Sequence, residues 1–347
     1  MTPSIHQEIT PILEAIHVQS PAAFLFRNEV LPVPPEPVQP LIGLPSHPLP
    51  QVPLIRHLQS VLYARCYMRR FEESLPAISP PFTPDPTFVQ RLSEANSSVQ
   101  RWENGWSIYA LGQNGQVWLQ KGDRQRSAVA GEYITSGVPG MPPQVGSVVA
   151  VLSPRESMNS QPGFYYIYGE TLSDAWDEHA LLRFYFHATA ESAPDLLHYL
   201  IDNLNRYQVP FRMKALVEPS MYQRSDAIVL YTAKRYYDIS VRIIRGMPRD
   251  AAASLRPSTP LFTRTVQPGV GTSEDPGNNE SFGMHRCRLF AEGIVDAWMA
   301  GDQSVEGRMR AIAARFTAAG FQLNLPHLSP GSIDFYEVPT EIDFAYA

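Results

Sequence analysis

The spacing of apolar residues changes along the chain and first predicts helices near the N-terminus. Ile5, Ile9 and Ile12 recur at roughly helical spacing within residues 3–19. Residues 31–53 are crowded with prolines, which forbid regular structure and favour an extended, polyproline-like segment. The segments LIRHLQSVLYARCYMRRF and TFVQRLSEANSSVQRW follow and predict a pair of helices.

Beyond Gly105 the period shortens to two, which predicts a β-rich middle. WSIYAL and QVWLQ flank a turn at residues 112–115 and predict a hairpin, while SVVAVL and GFYYIYG predict further strands. In LLRFYFHATA, Leu182, Phe184 and Phe186 alternate with Arg183, Tyr185 and His187. We therefore expect a strand with one buried side and a half-exposed His187.

The remaining pattern completes an α+β expectation. DLLHYLIDNLNRYQ predicts a helix, and the segment around Lys214, DAIVLYT and YDISVRII predict strands. A glycine-rich loop then leads into helices at about residues 281–299 and 303–319. The predicted fold is a mixed, mainly antiparallel central sheet flanked by helices. A helical and proline-rich region (residues 1–92) precedes the main domain (residues 93–347).

Composition narrows the function classes. The chain has 347 residues and a net charge of −6, which argues against a nucleic-acid partner held by bulk electrostatics. Cys66 and Cys287 are the only cysteines, so neither a disulfide framework nor a cysteine zinc site is indicated. The lack of a disulfide framework makes a reducing cytoplasm the expected location. No apolar run approaches the roughly 18 residues of a membrane span, so we expect no membrane partner.

Familiar catalytic motifs are missing from the sequence. It has no phosphate loop of the GxxxxGKS type, no HExxH and no GxSxG, and its histidines and cysteines suggest no metal site. Glu274 and Asp275 could ligate a metal, although two adjacent acids in a turn are usually solvated. We therefore expect no metal.

Residues 262–293 form the segment most suggestive of a site. Glycines there permit a close backbone approach, and Ser281 can cap a helix that carries His285, Arg286 and Arg288 in its first turns. A helix N-terminus beside arginines suits an anion such as phosphate. A glycine-rich surface loop followed by an ordinary helix is the competing interpretation.

Lys214 is the second candidate, because the chain has only three lysines and this one lies in the apolar run FRMKALV. Burial would lower the pKa of its amine and make it available as a base. The alternative is a lysine on the solvent face of a half-buried strand.

The combination of PRES, VPFRMK, RSDAIVLY and EDPGNNESFGMHR resembles the type III effector HopA-like family over roughly the last 250 residues. Biosynthetic members of that family work in lanthipeptide and thioamitide-type peptide pathways. The resemblance implies a lyase that β-eliminates phosphate from phosphoserine or phosphothreonine of a precursor peptide, after a separate kinase has acted. It implies dehydroalanine or dehydrobutyrine as product and no cofactor.

The resemblance also suggests roles for the candidate residues. Lys214 would be the base and His285 the acid, with His187 as the rival acid. The phosphate-binding and substrate-binding residues would be Arg224, Arg264 and Arg286, joined by Arg183 and Ser281.

Other interpretations stay open from the sequence alone. Arg224 could pair with Asp226, and Arg288 with Glu292, as ordinary ion pairs. The chain could be a non-catalytic scaffold or effector-like binding protein that recruits the kinase and the precursor. It could also assist thioether cyclisation.

Overall fold

The computed structural model describes residues 4–34, 51–69, 71, 83–135, 141–277 and 280–337. Most of the proline-rich stretch lies outside these residues. The described part is an α+β fold with three antiparallel sheets, which confirms the predicted class. The strands are β1 (Ile16–Ser20), β2 (Ala23–Phe26), β3 (Glu29–Pro32), β4 (Arg101–Leu111), β5 (Val117–Lys121), β6 (Arg124–Ala128), β7 (Tyr133–Thr135), β8 (Val148–Ser153), β9 (Glu156–Ser157), β10 (Phe164–Tyr168), β11 (Leu181–Phe186), β12 (Arg212–Leu216), β13 (Ile228–Ala233), β14 (Arg264–Gln267) and β15 (Val270–Glu274).

The helices lie at the two ends of the chain and between the strands of the largest sheet. None of those in the described part combines the length and apolarity that a membrane span requires. They are α1 (Ile5–Ala15), α2 (Val52–Leu62), α3 (Pro86–Ala95), α4 (Ala175–His179), α5 (Ala193–Arg206), α6 (Tyr237–Arg245), α7 (Arg249–Ala253), α8 (Phe282–Met299) and α9 (Val305–Ala318).

A seven-stranded sheet forms the centre, in the order β14-β15-β11-β13-β12-β10-β9. Its first face carries Leu182, Phe184 and Phe186, all fully buried in a core with apolar residues of α3, α5 and α6. The alternation in LLRFYFHATA therefore predicted which side chains share this face, but the expectation of only one buried side was wrong, since Tyr185 on the other face is also buried. The opposite face carries Tyr185, whose ring packs against the rings of Tyr67 and Phe282.

The N-terminal region shares a core with the C-terminal helices. Ile9 and Leu13 of α1 are buried in one cluster with Phe290 of α8 and Ile312 of α9. Removing the N-terminal region would expose this cluster to water. The domain boundary predicted after residue 92 falls within α3, and the division into two domains stays a prediction.

A separate five-stranded sheet has the order β6-β5-β4-β8-β7. WSIYAL and QVWLQ form the expected antiparallel hairpin within it. One face buries a small core around Trp106, Ile108 and Leu119. This sheet stands beside one end of the seven-stranded sheet and closes a cleft with it.

Two segments differ from the sequence-based expectation. YDISVRII forms helix α6 rather than a strand, because Tyr237, Val241 and Ile244 at positions i, i+4 and i+7 fill one buried face. The glycine-rich loop is largely a β-hairpin, in which β14 and β15 are joined by a two-residue turn. Gly269 adopts a φ of 76° in that turn, which a residue with a side chain adopts at a cost.

Candidate functional site

Four basic side chains project from one face of the seven-stranded sheet or its margin, and we call them the cation cluster: Arg183, Arg212, Lys214 and Arg224. Arg212 pairs with Tyr231 across β12 and β13, and Tyr231 pairs with Arg183 across β13 and β11. Residues directly opposite in adjacent strands share a face. Lys214 lies two positions from Arg212 in β12 and therefore points the same way.

The Tyr231 ring is the shared contact of this cluster. Its centroid lies 5.0 Å from the Arg212 guanidinium carbon, 5.4 Å from that of Arg183 and 6.0 Å from the Lys214 Nζ. Cations within about 6 Å of an aromatic face are attracted by the ring quadrupole. Among the described residues the Tyr231 hydroxyl has no hydrogen-bond partner. Burial raises the pKa of this phenol, so it carries its proton at neutral pH.

Lys214 is half-buried and held in position. Its Nζ donates a hydrogen bond of 3.0 Å to Gln161 Oε1 and lies 4.3 Å from the centroid of the Phe164 ring. The Tyr166 hydroxyl donates to the same Gln161 oxygen at 2.9 Å. Burial lowers the pKa of Lys214 to about 8, and the surrounding arginines act in the same direction against the opposing effect of Asp226.

Two arginines of the cluster are anchored by carboxylates. Arg224 makes a two-pronged pair with Asp226, at 2.8 Å and 2.9 Å, and also donates to the Tyr63 hydroxyl. Burial acts to raise the pKa of Asp226, but Arg224 holds it below its ordinary value. Arg183 donates from Nε and Nη2 to a single carboxylate oxygen of Asp275, Oδ2. These pairs fix both guanidinium planes in the site.

A cleft of about 380 Å³ opens next to the cluster, between the two larger sheets. Arg212 and Tyr231 line it on the seven-stranded side. The five-stranded sheet contributes Arg101, Arg124 and Arg126, together with the acid Glu103. This volume lies within the range of about 300–1,000 Å³ that is common for ligand sites.

The structure does not bring Arg264 to this face. Arg264 pairs with Thr272, which pairs with Phe184, and Phe184 lies on the apolar face of the sheet. The Arg264 guanidinium binds the Asp334 carboxylate at 2.6 Å. Arg264 and Lys214 therefore project from opposite faces of one sheet.

Arg286 and His285 form a second basic group in α8, which we call the Arg286 clamp. Arg286 is 0% exposed and donates to the carbonyl oxygens of Pro326 and Leu328, at 2.7 Å and 2.9 Å. It also contacts His285 Nδ1 at 2.7 Å. Burial, reinforced by Arg286, lowers the pKa of His285 to about 4. The clamp uses its donors to hold the C-terminal segment against α8.

The start of α8 follows the sequence prediction as a helix terminus. The Ser281 hydroxyl accepts a hydrogen bond from the backbone N–H of Met284 and so caps the helix. Arg288 pairs with Glu292 one turn away and with Glu280. The Arg288–Glu292 pairing that the sequence left open is therefore present.

His187 shares the face of Arg183 and Tyr185 as expected, but it is fully buried rather than half exposed. Its Nδ1 contacts the Ser258 hydroxyl at 2.9 Å, and burial lowers its pKa to about 4. The β14–β15 turn and the chain before Ser258 lie against this end of the strand, since the His187 N–H donates to the Gly269 carbonyl oxygen and the Arg256 N–H donates to the His187 carbonyl oxygen. Strand β13 also separates β11 from β12, so His187 is not on a strand adjacent to that of Lys214.

Three participants were not singled out from the sequence: Arg212, Tyr231 and Gln161. Period-two spacing could have found the first, since Arg212 lies two positions before Lys214 in a predicted strand. Tyr231 lies in DAIVLYT, but only the register of β11, β13 and β12 places it between the arginines. Gln161 lies in the irregular segment before β10 and carries no local signal.

Comparisons with known proteins give a match to a protein family and likenesses to solved structures. Residues 155–328 match the HopA1 effector protein family, a range that includes every strand of the seven-stranded sheet. Two solved structures are similar to the chain. The effector protein from Pseudomonas syringae pv. tomato strain DC3000 has 16% identity and a TM-score of 0.40, over 79% of this chain and 98% of that chain. The effector protein from Pseudomonas syringae pv. syringae strain 61 has 11% identity and a TM-score of 0.41, over 80% and 96%.

The assignment rests on the family match, because the TM-scores of both structural likenesses lie below 0.5. None of the curated proteins compared with the chain matches it. The matched range spans half of the sequence and contains Arg183, Arg212, Lys214 and Arg224. The chain belongs to the HopA1 effector protein family.

Proposed function

We propose that the protein is a lyase that β-eliminates phosphate from phosphoserine or phosphothreonine in a peptide, leaving dehydroalanine or dehydrobutyrine. The observation that carries this proposal is the environment of Lys214. Its amine has a pKa lowered to about 8, is oriented by Gln161 and shares a sheet face with arginines. About a tenth of such an amine is neutral at pH 7, so a base stands beside an anion site.

Lys214 is the proposed base. Its neutral amine takes the proton from Cα of the phosphorylated residue, and the electron pair of that C–H bond becomes the new Cα=Cβ bond. The bond between Cβ and the ester oxygen breaks, and its electron pair leaves with phosphate. Arg212, supported by Arg183 and Arg224, binds the phosphate and stabilises the charge that develops on the neighbouring carbonyl oxygen.

The leaving oxygen needs a proton, because an unprotonated phosphate would depart as a trianion. We assign this proton to the Tyr231 hydroxyl, whose ring lies among the cations and whose pKa is raised by burial. The resulting phenolate regains a proton while the Lys214 ammonium loses one to solvent. His285 and His187 are sealed from solvent and have pKa values of about 4, so neither retains the acid role here.

The proposal also implies a substrate and a partner enzyme. The substrate is a precursor peptide of the lanthipeptide type that a separate kinase has phosphorylated, and the reaction takes place in the cytoplasm. No metal or organic cofactor enters this chemistry, because base, acid and anion-binding groups are all protein side chains. Ser281, Arg264 and Arg286 lie outside the proposed site and act in helix capping and in holding the C-terminal segment.

Mass spectrometry of phosphopeptides incubated with the purified protein tests the proposal. We expect loss of one phosphoric acid per phosphorylated residue, and a thiol added afterwards should attach to the dehydrated product. Lys214→Arg keeps the positive charge but removes the base, and it should bind the peptide without eliminating phosphate. Arg206→Gln, an exposed substitution on α5 at the other face of the sheet, is the matched control and should react like the wild type.

A different result would replace the enzyme with its alternative. If phosphopeptides bind but no dehydrated product forms, even when the cognate kinase is added, the chain acts as a scaffold or effector-like binding protein. If elimination persists in Lys214→Arg, another group is the base and the assignment of Lys214 fails.

A further inference from the structure

We propose that the cleft between the five-stranded and seven-stranded sheets is a second anion subsite, centred on Arg126. It takes an acidic or phosphorylated side chain of the same peptide, close in sequence to the residue that reacts. The inference deepens the proposed lyase function and rests on it for the identity of the peptide. It assigns a substrate-selecting role to the five-stranded sheet, all five strands of which lie outside the family match.

The charge of the cleft differs from that of the whole chain. The protein carries a net charge of −6, yet four arginines line the cleft against two carboxylates. One of these acids, Asp177, binds Arg235, and the other, Glu103, binds Lys121 as well as Arg124. A concave site with excess positive charge in an otherwise acidic protein concentrates anions.

Arg126 is the arginine best placed to bind a ligand. Arg124 and Arg126 lie two positions apart in β6 and both approach the Trp106 ring, at 5.1 Å and 5.9 Å from its centroid. Glu103 holds Arg124 through both of its carboxylate oxygens. Arg126, in contrast, has no carboxylate partner among the residues that the structure describes. Its guanidinium is half-buried on an aromatic platform and keeps its donors available.

The cleft is continuous with the proposed reaction site. Arg212 and Tyr231 line the cleft and also belong to the group around Lys214. A peptide whose phosphorylated residue reaches Lys214 would therefore place its neighbouring residues in the cleft. At about 3.3–3.6 Å for each extended residue, a short segment spans the space between the two anion sites.

Kinetics with a matched peptide series test the subsite. The series has one reactive phosphoserine and, at one to five residues on either side, alanine, glutamate or a second phosphoserine. We expect an anionic residue at a preferred spacing to lower KM about tenfold, with kcat little changed. Arg126→Gln should bring the ratio of the two KM values close to one, whereas Arg206→Gln should preserve it.

Binding measurements separate this inference from the proposed function. Fluorescence anisotropy of the same peptides is recorded with the inactive Lys214→Arg protein and with that protein carrying Arg126→Gln. If anionic peptides bind more tightly only when Arg126 is present, the subsite stands even if no elimination is ever observed. If elimination occurs but neither KM nor affinity depends on the second anion or on Arg126, the subsite is overturned and the lyase remains. A response to phosphoserine but not to glutamate identifies the ligand as phosphoryl.

Discussion

The cation cluster and the Arg286 clamp contain the same residue types but serve different purposes. In the cluster, Lys214 is half-buried and Arg212 lines an open cleft. In the clamp, Arg286 is fully buried, and its guanidinium binds two backbone carbonyls and His285. A basic side chain whose donors are all used internally holds the fold together, whereas one that faces a cleft can bind a ligand.

This contrast reverses the ranking that the sequence suggests. The glycine-rich segment before α8, with its capping serine, histidine and arginines, has the stronger local signature of an anion site. The structure uses that segment for a buried strand and for the clamp. FRMKALV has the weaker signature, but its strand lies in the middle of the sheet beside the cleft.

The largest expected effect is that of Lys214→Met. We expect turnover of a phosphopeptide to fall by more than about 10³-fold, because the proposed base is lost. We also expect the free energy of unfolding to rise by about 1–3 kcal/mol, because a charged amine no longer has to be half-buried among arginines. Phosphate release and chemical unfolding, measured on one preparation, check both effects.

The pH dependence sharpens this prediction. The pKa of Lys214 is lower in the folded protein, about 8, than in the unfolded chain, so the amine destabilises the fold as long as it is protonated. The difference in unfolding free energy between variant and wild type should be largest below pH 8 and should shrink toward pH 10. A variant that loses activity and stability together would instead make Lys214 a structural residue.

Arg286→Leu should have the opposite signature. The substitution leaves the carbonyls of Pro326 and Leu328 without their buried donors, which outweighs the removal of a buried guanidinium whose pKa burial lowers to about 10. We therefore expect a net loss of about 1–3 kcal/mol of unfolding free energy. Turnover per folded molecule should change less than about threefold, since the clamp lies outside the proposed site. Arg286→Lys, which retains one charge, keeps the comparison possible if the leucine variant does not fold. A stable variant with no turnover would return Arg286 to the phosphate site.

How far the sequence predicts this molecule depends on whether the signal is local. The alternation in LLRFYFHATA and the cap of α8 are local, and both the division of side chains between two faces and the Ser281 cap were predicted correctly. The burial of the second face, with Tyr185 and His187, was not predicted, because it depends on segments distant in the sequence. YDISVRII was assigned the wrong period because a short apolar segment fits both a strand and a helix. Arg264 and Lys214 were grouped as one site because no local pattern reveals that β14 and β12 turn them to opposite faces of the sheet.

Tyr231→Phe tests the proton donor with the smallest change of shape. We expect turnover to fall by about 10–100-fold while the unfolding free energy stays within about 1 kcal/mol, because the ring and its contacts with the arginines remain. With a peptide ester whose leaving group is better than phosphate, the substitution should lower turnover much less, since that leaving group needs little protonation. Equal losses for both leaving groups would show that the hydroxyl does not supply the proton.

The smallest expected effect is that of replacing His285, the imidazole that contacts Arg286 in the clamp. Because burial lowers its pKa to about 4, the unfolded state binds a proton below about pH 6.5 that the folded state does not accept. The wild type should therefore lose stability as the pH falls from about 6.5 to about 4, with about 1–2 kcal/mol at pH 5 due to this residue. In His285→Asn the amide oxygen can still accept from Arg286, so this loss should shrink while turnover at pH 7 is retained. His187 has a similar pKa and should account for part of the remaining acid sensitivity. If His285→Asn instead abolishes turnover at pH 7 without changing the acid sensitivity, the imidazole is a proton donor and the contrast between cluster and clamp fails at this residue.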